Sequence, residues 1–300
     1  MGINDGRVVV ITGAGRGIGR EHALAYASEG ARVVVNDLGG GVDGSGADVS
    51  PAQQVVDEIT AMGGAAVANG DNVADFDGAR RLVQTAVDTF GRLDVLVNNA
   101  GILRDRMLVN MTEAEWDAVI HVHLKGTFAP TRHAAEYWRE QAKAGETVDA
   151  RIVNTSSPSG IFGNAGQTNY GAAKGGIASF TLICALELGR YGVNANAIAP
   201  VARTRMTENL MQGGGQPDPA QFDALDPANI SPLVVWLGSP DSRDVTGRVF
   251  LVDGDRISVA EGWRRGPTTR KGGDRWEPAE LTKVVPDLVA EAQPNATMMS

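Results

Sequence analysis

The chain is short of cysteine, of positive charge and of long apolar runs. Cys184 is the only cysteine in 300 residues, so no internal disulfide can form and a reducing compartment is expected. Lysine and arginine number 27 against 36 aspartates and glutamates, a net charge of -9, which excludes an ordinary nucleic-acid surface. No apolar run reaches the roughly 18 residues of a membrane span, so no membrane partner is expected. The opening residues MGINDGRVVV lack a basic region and a cleavage site, so no secretory leader is expected either. These absences predict a cytoplasmic globular protein. What the chain has in excess is glycine: 38 of 300 residues, about 13% against a usual figure of about 7%. The glycines follow no three-residue period, which excludes collagen, and the apolar periodicity around them excludes disorder.

Strand-like and helix-like segments alternate. The β-branched runs RVVVI (7–11) and RVVVN (32–36), a weaker one at 65–68, LDVLV (93–97), and the stretches 151–155, 194–199 and 249–252 read as strands. Helical periodicity falls between them, including one long helix over 113–143 interrupted near Gly126 and another over 169–190. Strands alternating with helices at these lengths predict an α/β fold: a single doubly wound domain over residues 1–255, with a seven-stranded, mostly parallel sheet and helices on both faces. Three regions break the rhythm. Residues 39–50 (GGGVDGSGADVS) form a glycine-rich insert, 201–229 a segment with Met206, Leu210, Met211, Phe222 and Leu225, and 256–300 a polar extension. The second of these either closes as a flap over an apolar substrate or is a surface helix burying its apolar face.

TGAGRGIG (12–19) follows the first strand and opens the first helix, the context that gives a glycine motif meaning. Gly13 turns the chain, Gly17 lets backbone approach a pyrophosphate, and Gly19 lets the helix pack on the sheet. The helix N-terminus then offers N–H groups to the anion. This is the Rossmann arrangement. Asp37 ends the second strand, where a carboxylate bonds the hydroxyls of an adenosine ribose and repels a 2′-phosphate, so NAD is expected rather than NADP. Arg16 in the loop is the one residue able to argue the other way, by reaching a phosphate. Asn98-Asn99-Ala100-Gly101 follows the fourth strand at the edge where such sheets bind ligands.

Tyr170 and Lys174 lie four apart and share a helix face, with Ser157 thirteen residues earlier at the end of a strand. A phenol of ordinary pKa near 10 is a poor base, but a neighbouring ammonium and a cationic nicotinamide stabilise its phenolate. Tyr170 is thereby a candidate to take an alcohol's proton as hydride leaves, Lys174 to hold the nicotinamide ribose, and Ser157 to hold the substrate oxygen. No metal site is expected.

These motifs together, TGAGRGIG, NNAG, Ser157 and YGAAK (170–174), resemble the short-chain dehydrogenase/reductase family over about residues 5–255. Longer strings are similar to its (3R)-hydroxyacyl-CoA dehydrogenase branch, found in peroxisomal multifunctional β-oxidation enzymes: VVVNDLGG (33–40), NNAGILRDR (98–106), IHVHLKGTF (120–128), TSSPSGIFGNAGQTNYGAAK (155–174) and APVARTRMT (199–207). The resemblance implies that Ser157, Tyr170 and Lys174 are catalytic. It implies that Gly13, Arg16, Gly17, Ile18, Gly19, Asp37, Asn72, Val73, Asn99, Ala100, Gly101, Pro200, Ala202 and Thr204 meet NAD, along with Tyr170 and Lys174. It implies an acyl-CoA substrate and a homodimer or homotetramer built through the helices around 113–143 and 169–190. His123 stands where most of the wider family has asparagine, which there holds a water of a proton relay. It either anchors that relay through a ring nitrogen or is a satisfied buried histidine. Arg104, Arg106 and the run Arg264, Arg265, Arg270 and Lys271 either meet the CoA phosphates or are solvated. The last residues, MMS, are not expected to act as a peroxisomal address. Oxidation of a steroid or other bulky alcohol, and dinucleotide sensing without catalysis, stay open as alternative functions.

Overall fold

In the computed structural model, residues 2–46, 48, 50–203 and 221–298 are described. Met1–Ala260 forms one compact unit and Glu261–Ser300 another. In the first, β1 (Val8–Thr12), β2 (Arg32–Asn36), β3 (Ala65–Asn69), β4 (Val95–Asn98), β5 (Ala150–Thr155), β6 (Val193–Val201) and β7 (Val249–Asp253) run parallel. Their order across the sheet is β3-β2-β1-β4-β5-β6-β7. The β-branched residues of β1 and β2 alternate between two apolar layers, as a parallel sheet buried on both faces requires. Val9, Ile11, Val33 and Val35 pack under α1 (Gly17–Ser28), α2 (Ser50–Ala61) and α8 (Ser231–Leu237). Val8, Val10 and Val34 pack with α3 (Phe76–Phe90), α5 (Gly126–Lys143) and α7 (Thr168–Leu188). The order reverses between β1 and β4, so the crevice for a ligand opens beyond their C-terminal ends.

Among the described residues the sheet has eight strands, one more than the expected seven. β8 (Arg256–Ala260) pairs antiparallel with β7 after a tight turn in which Gly254 takes φ +56°. This strand falls in residues the sequence assigned to the extension. Ile257 and Val259 alternate with polar neighbours and stay exposed, so the segment reads as tail.

The long helix over 113–143 is interrupted just before Gly126, as expected: α4 (Glu113–Ile120) and α5 are joined by a five-residue π-turn at His121–Lys125. A short helix, α6 (Pro158–Phe162), separates β5 from α7 and begins at Ser157, so Ser157 caps a helix and lies two residues past the strand end. Together with the turn that follows it, α7 is long and apolar enough by composition to cross a membrane, contrary to the expectation of no such run. Its small residues raise its hydropathy, and it lies on the sheet through Ala173, Ile177, Thr181 and Cys184. The second unit contains α9 (Leu281–Glu291), preceded by a reciprocal cap between Glu277 and Glu280.

Candidate active site

The turn after β1 is shaped by what its glycines omit. Gly13 takes φ +64°, and a Cβ there would fall 2.7 Å from Ala100 Cα. A Cβ on Gly19 would meet Gly13 O at 2.2 Å and Asn99 Nδ2 at 2.6 Å. Gly17 takes φ +54°, and no side chain caps the start of α1. This is a cradle for an anion at a helix N-terminus, and the residues present fit a dinucleotide pyrophosphate. Ile18 packs at the edge of the core beneath it, while Arg16 is exposed and acts on Asp48 of the insert.

Asp37 lies one residue past β2, and both its carboxylate oxygens are already engaged by backbone donors. Its Oδ2 accepts from Gly15 N–H at 2.8 Å and its Oδ1 from Gly39 N–H at 2.6 Å, so the carboxylate ties the glycine turn to the insert. The insert reaches the segment after β4: Leu103 N–H donates to Val42 O at 3.1 Å and Arg104 Nε to Asp43 O at 2.8 Å. Asn72 holds its own turn, its Oδ1 accepting from Ala74 N–H at 2.9 Å, while Val73 is buried in the core beneath.

Asn98 and Asn99 have different tasks. Asn99 faces the turn, its Nδ2 donating to Thr12 O and Gly13 O at 3.1 Å each, and Thr12 Oγ1 accepts from the N–H groups of Asn99 and Ala100. Asn98 faces the interior. Its Nδ2 donates to Thr131 Oγ1 and Asn154 Oδ1, each at 2.9 Å, and Asn154 Nδ2 donates on to Thr181 Oγ1 at 2.9 Å. This buried polar chain fastens α5, β4, β5 and α7 together behind the site, and sequence reasoning missed it. The signal available was an asparagine at the same register position of two adjacent strands, Asn98 beside Asn154.

Ser157, Tyr170, Lys174 and His123 converge beside this edge. The Lys174 ammonium lies 5.6 Å from the Tyr170 ring centre, and the His123 ring stands edge-on to the tyrosine at 5.2 Å. Lys174 Nζ donates to Thr155 O at 2.6 Å, and burial pulls its pKa down to about 7. Burial pushes the Tyr170 phenol up to about 12; a hydrogen bond with Ser157 works against that rise and the Asp105 carboxylate adds to it. Burial therefore outweighs the contacts that favour the phenolate. The buried ammonium is itself drawn toward neutrality.

His123 is brought there by the π-turn. Its Nε2 lies 3.0 Å from Ile102 N and 2.7 Å from Ile102 O, while Nδ1 is buried without a hydrogen-bond partner among the described residues. The ring is thus held on one side only. Burial, with the Lys174 charge adding, pushes its pKa down to about 3 despite the Ile102 carbonyl, so it is neutral. Gly101 makes the room, because a Cβ there would lie 2.4 Å from His123 Cε1.

Pro200 and Ala202 lie at and just beyond the end of β6, with Ala202 buried. Thr204, Met206, Leu210 and Met211 lie outside the described residues, as does most of the segment read as a flap. Phe222 is exposed. Of the cations weighed for CoA, Arg106 pairs with Glu115 at 2.9 Å, Arg264 with Glu261 and Lys271 with Glu280.

A doubly wound sheet with a glycine turn at its switch point and a serine, tyrosine and lysine beside it defines a dinucleotide-dependent oxidoreductase. Residues 7–214 match the short chain dehydrogenase family, and the chain belongs to it. It is 45% identical over 295 residues to the hydroxyacyl-CoA dehydrogenase ChsB1 of Mycobacterium tuberculosis, covering 96% of this chain and 90% of that one. It is 45% identical over 269 residues to the peroxisomal multifunctional enzyme type 2 of Mus musculus, covering 89% of this chain and 34% of that longer protein. The crystal structure of a short chain dehydrogenase from Mycobacterium avium superposes with a TM-score of 0.89 at 61% identity, over 99% of both chains. The protein is an oxidoreductase acting on CH–OH groups, of a family that uses NAD or NADP.

Proposed function

We propose that this protein is an NAD-dependent dehydrogenase that oxidises the 3-hydroxyl of an acyl-CoA. The convergence of Ser157, Tyr170 and Lys174 next to the glycine turn carries the reading. Bound NAD⁺ supplies the hydride acceptor and a positive charge over the site. The Ser157 hydroxyl holds the substrate oxygen, and the Tyr170 phenolate oxygen takes the proton that the alcohol gives up as its hydride leaves. A phenol pushed up by burial loses its own proton reluctantly, so oxidation is expected to speed up as pH rises. Lys174 places its ammonium for the nicotinamide ribose and favours the phenolate whenever it is charged.

Asp37 supports NAD over NADP. Both its oxygens are fixed by backbone donors, so a 2′-phosphate would meet a carboxylate that cannot swing away. The acyl-CoA substrate rests on the relatives' names. Exposed Phe128, Leu182, Ile183 and Leu186 on α5 and α7 support a homodimer or homotetramer formed through those helices. The test is a panel of secondary alcohols mixed with protein and NAD⁺, followed by NADH absorbance. Turnover of 3-hydroxyacyl-CoA and not of steroid alcohols is the expected result. Tight NAD⁺ binding without reduction by any alcohol would sink the proposal.

A further inference from the structure

Between Ser157 and the first turn of α7 runs a set of polar contacts that proton and hydride transfer do not themselves require. Ser157 Oγ accepts from Ser159 N–H at 3.2 Å, and Ser159 Oγ donates to Gln167 Oε1 at 2.7 Å. Asn164 Nδ2 donates to the same Gln167 oxygen at 3.0 Å. The other end of the amide, Gln167 Nε2, donates to Asp105 Oδ2 at 2.7 Å. Gln167, Ser159 and Ser157 are all buried. The amide has one workable orientation, since a flip would set its NH₂ against that of Asn164 and its oxygen against the carboxylate. The backbone holds it in register, with Arg106 N–H donating to Gly166 O at 2.8 Å and a β-bridge between Arg106 and Gln167.

Resting on the role given to Ser157 above, we propose that Gln167 is a positioning residue that fixes the direction of the Ser157 hydroxyl through Ser159, and that Asp105 orients Gln167. A serine hydroxyl rotates to suit its neighbours. With the Ser159 N–H on one lone pair, its proton is left to donate into the cleft where Tyr170 lies. Orientation of this kind is a large part of what a site contributes to rate, so loosening it lowers kcat more than it weakens dinucleotide binding.

The test uses the full chain carrying Gln167→Leu, Gln167→Glu, Asp105→Asn, or the last two together. Three things are measured: kcat and KM with NAD⁺ and 3-hydroxybutyryl-CoA, the Kd for NADH by fluorescence, and a crystal structure of Gln167→Leu. Gln167→Leu is expected to lose about tenfold in kcat with an NADH Kd within about twofold of the parent. Its crystal structure is expected to show Ser157 Oγ turned away from Ser159 N–H. Gln167→Glu sets two carboxylates face to face and loses at least as much. Adding Asp105→Asn restores most of the rate, because the asparagine amide then donates to the glutamate. A folded Gln167→Leu with parental kcat and an unmoved Ser157 overturns the proposal, as does a Gln167→Glu that Asp105→Asn fails to rescue. If the parent oxidises no alcohol while Ser157 is displaced in the Gln167→Leu crystal, the functional reading fails and the positioning role stands.

Discussion

At the scale of single residues, the structure gives several side chains a second task. Asp37 reads from its place at a strand end as a candidate ribose ligand. Its two backbone donors, from Gly15 and Gly39, depend on an insert folding back that no local pattern announces. Asp37→Asn keeps an acceptor but removes the charge. It should raise the KM for NAD⁺ about tenfold while leaving that for NADP⁺ within about twofold. Equal loss for both cofactors in steady-state assays would contradict this assignment. His123 carries a different prediction. Its pKa falls from 6.5 unfolded to about 3 folded, so between those values the unfolded chain binds more protons and stability drops as pH drops. His22, buried against Ser231 and also pushed down to about 3, adds to the same slope. His123→Asn should therefore lose less stability than the parent between pH 7 and about pH 4.5, measured as urea midpoints. Parallel losses in the two proteins would show that His123 is not buried in its neutral form.

At the scale of elements, the parts read correctly are those whose cause is local. The β-branched runs of β1 and β2 gave the strands. The start of α3 is marked by Asp75, whose carboxylate accepts from Gly78 N–H at 2.8 Å, and its end by Gly91 at φ +82°. The start of α4 is marked by the reciprocal cap of Thr112 and Glu115. The break before Gly126 was legible, but its π form was not, because HVHLK has ordinary helical spacing. The extra residue in that turn is settled by long-range packing, with the His123 ring over Gly101 and Gly126 against Val73, where a Cβ would come within 3.0 Å. β8 was missed for the opposite reason. It pairs by backbone to a neighbouring strand while its Ile257 and Val259 remain exposed, so burial left no pattern to read. Ser157, Tyr170 and Lys174 stand out as candidates by spacing, whereas Gln167 and Asp105 join them only through a loop crossing that brings residue 105 beside residue 167.

At the scale of the whole molecule, the sheet order places the glycine turn and the NNAG segment on either side of the switch point, with the serine and tyrosine one strand further along. Leu186 is 85% exposed on α7, and Ile183 is 48% exposed a turn before it. If the protein forms the proposed homodimer or homotetramer through α7, Leu186→Asp should shift it to a smaller species in sedimentation; an unchanged mass would remove α7 from that interface. The site is proposed to oxidise an alcohol through Tyr170. The most direct measurement is NADH formation from NAD⁺ and a 3-hydroxyacyl-CoA by the parent and by Tyr170→Phe. Steady turnover is expected from the parent and a rate at least about a hundredfold lower from the variant, with NADH binding retained. Turnover by Tyr170→Phe at the parental rate, or none by the parent despite tight NAD⁺ binding, would contradict it.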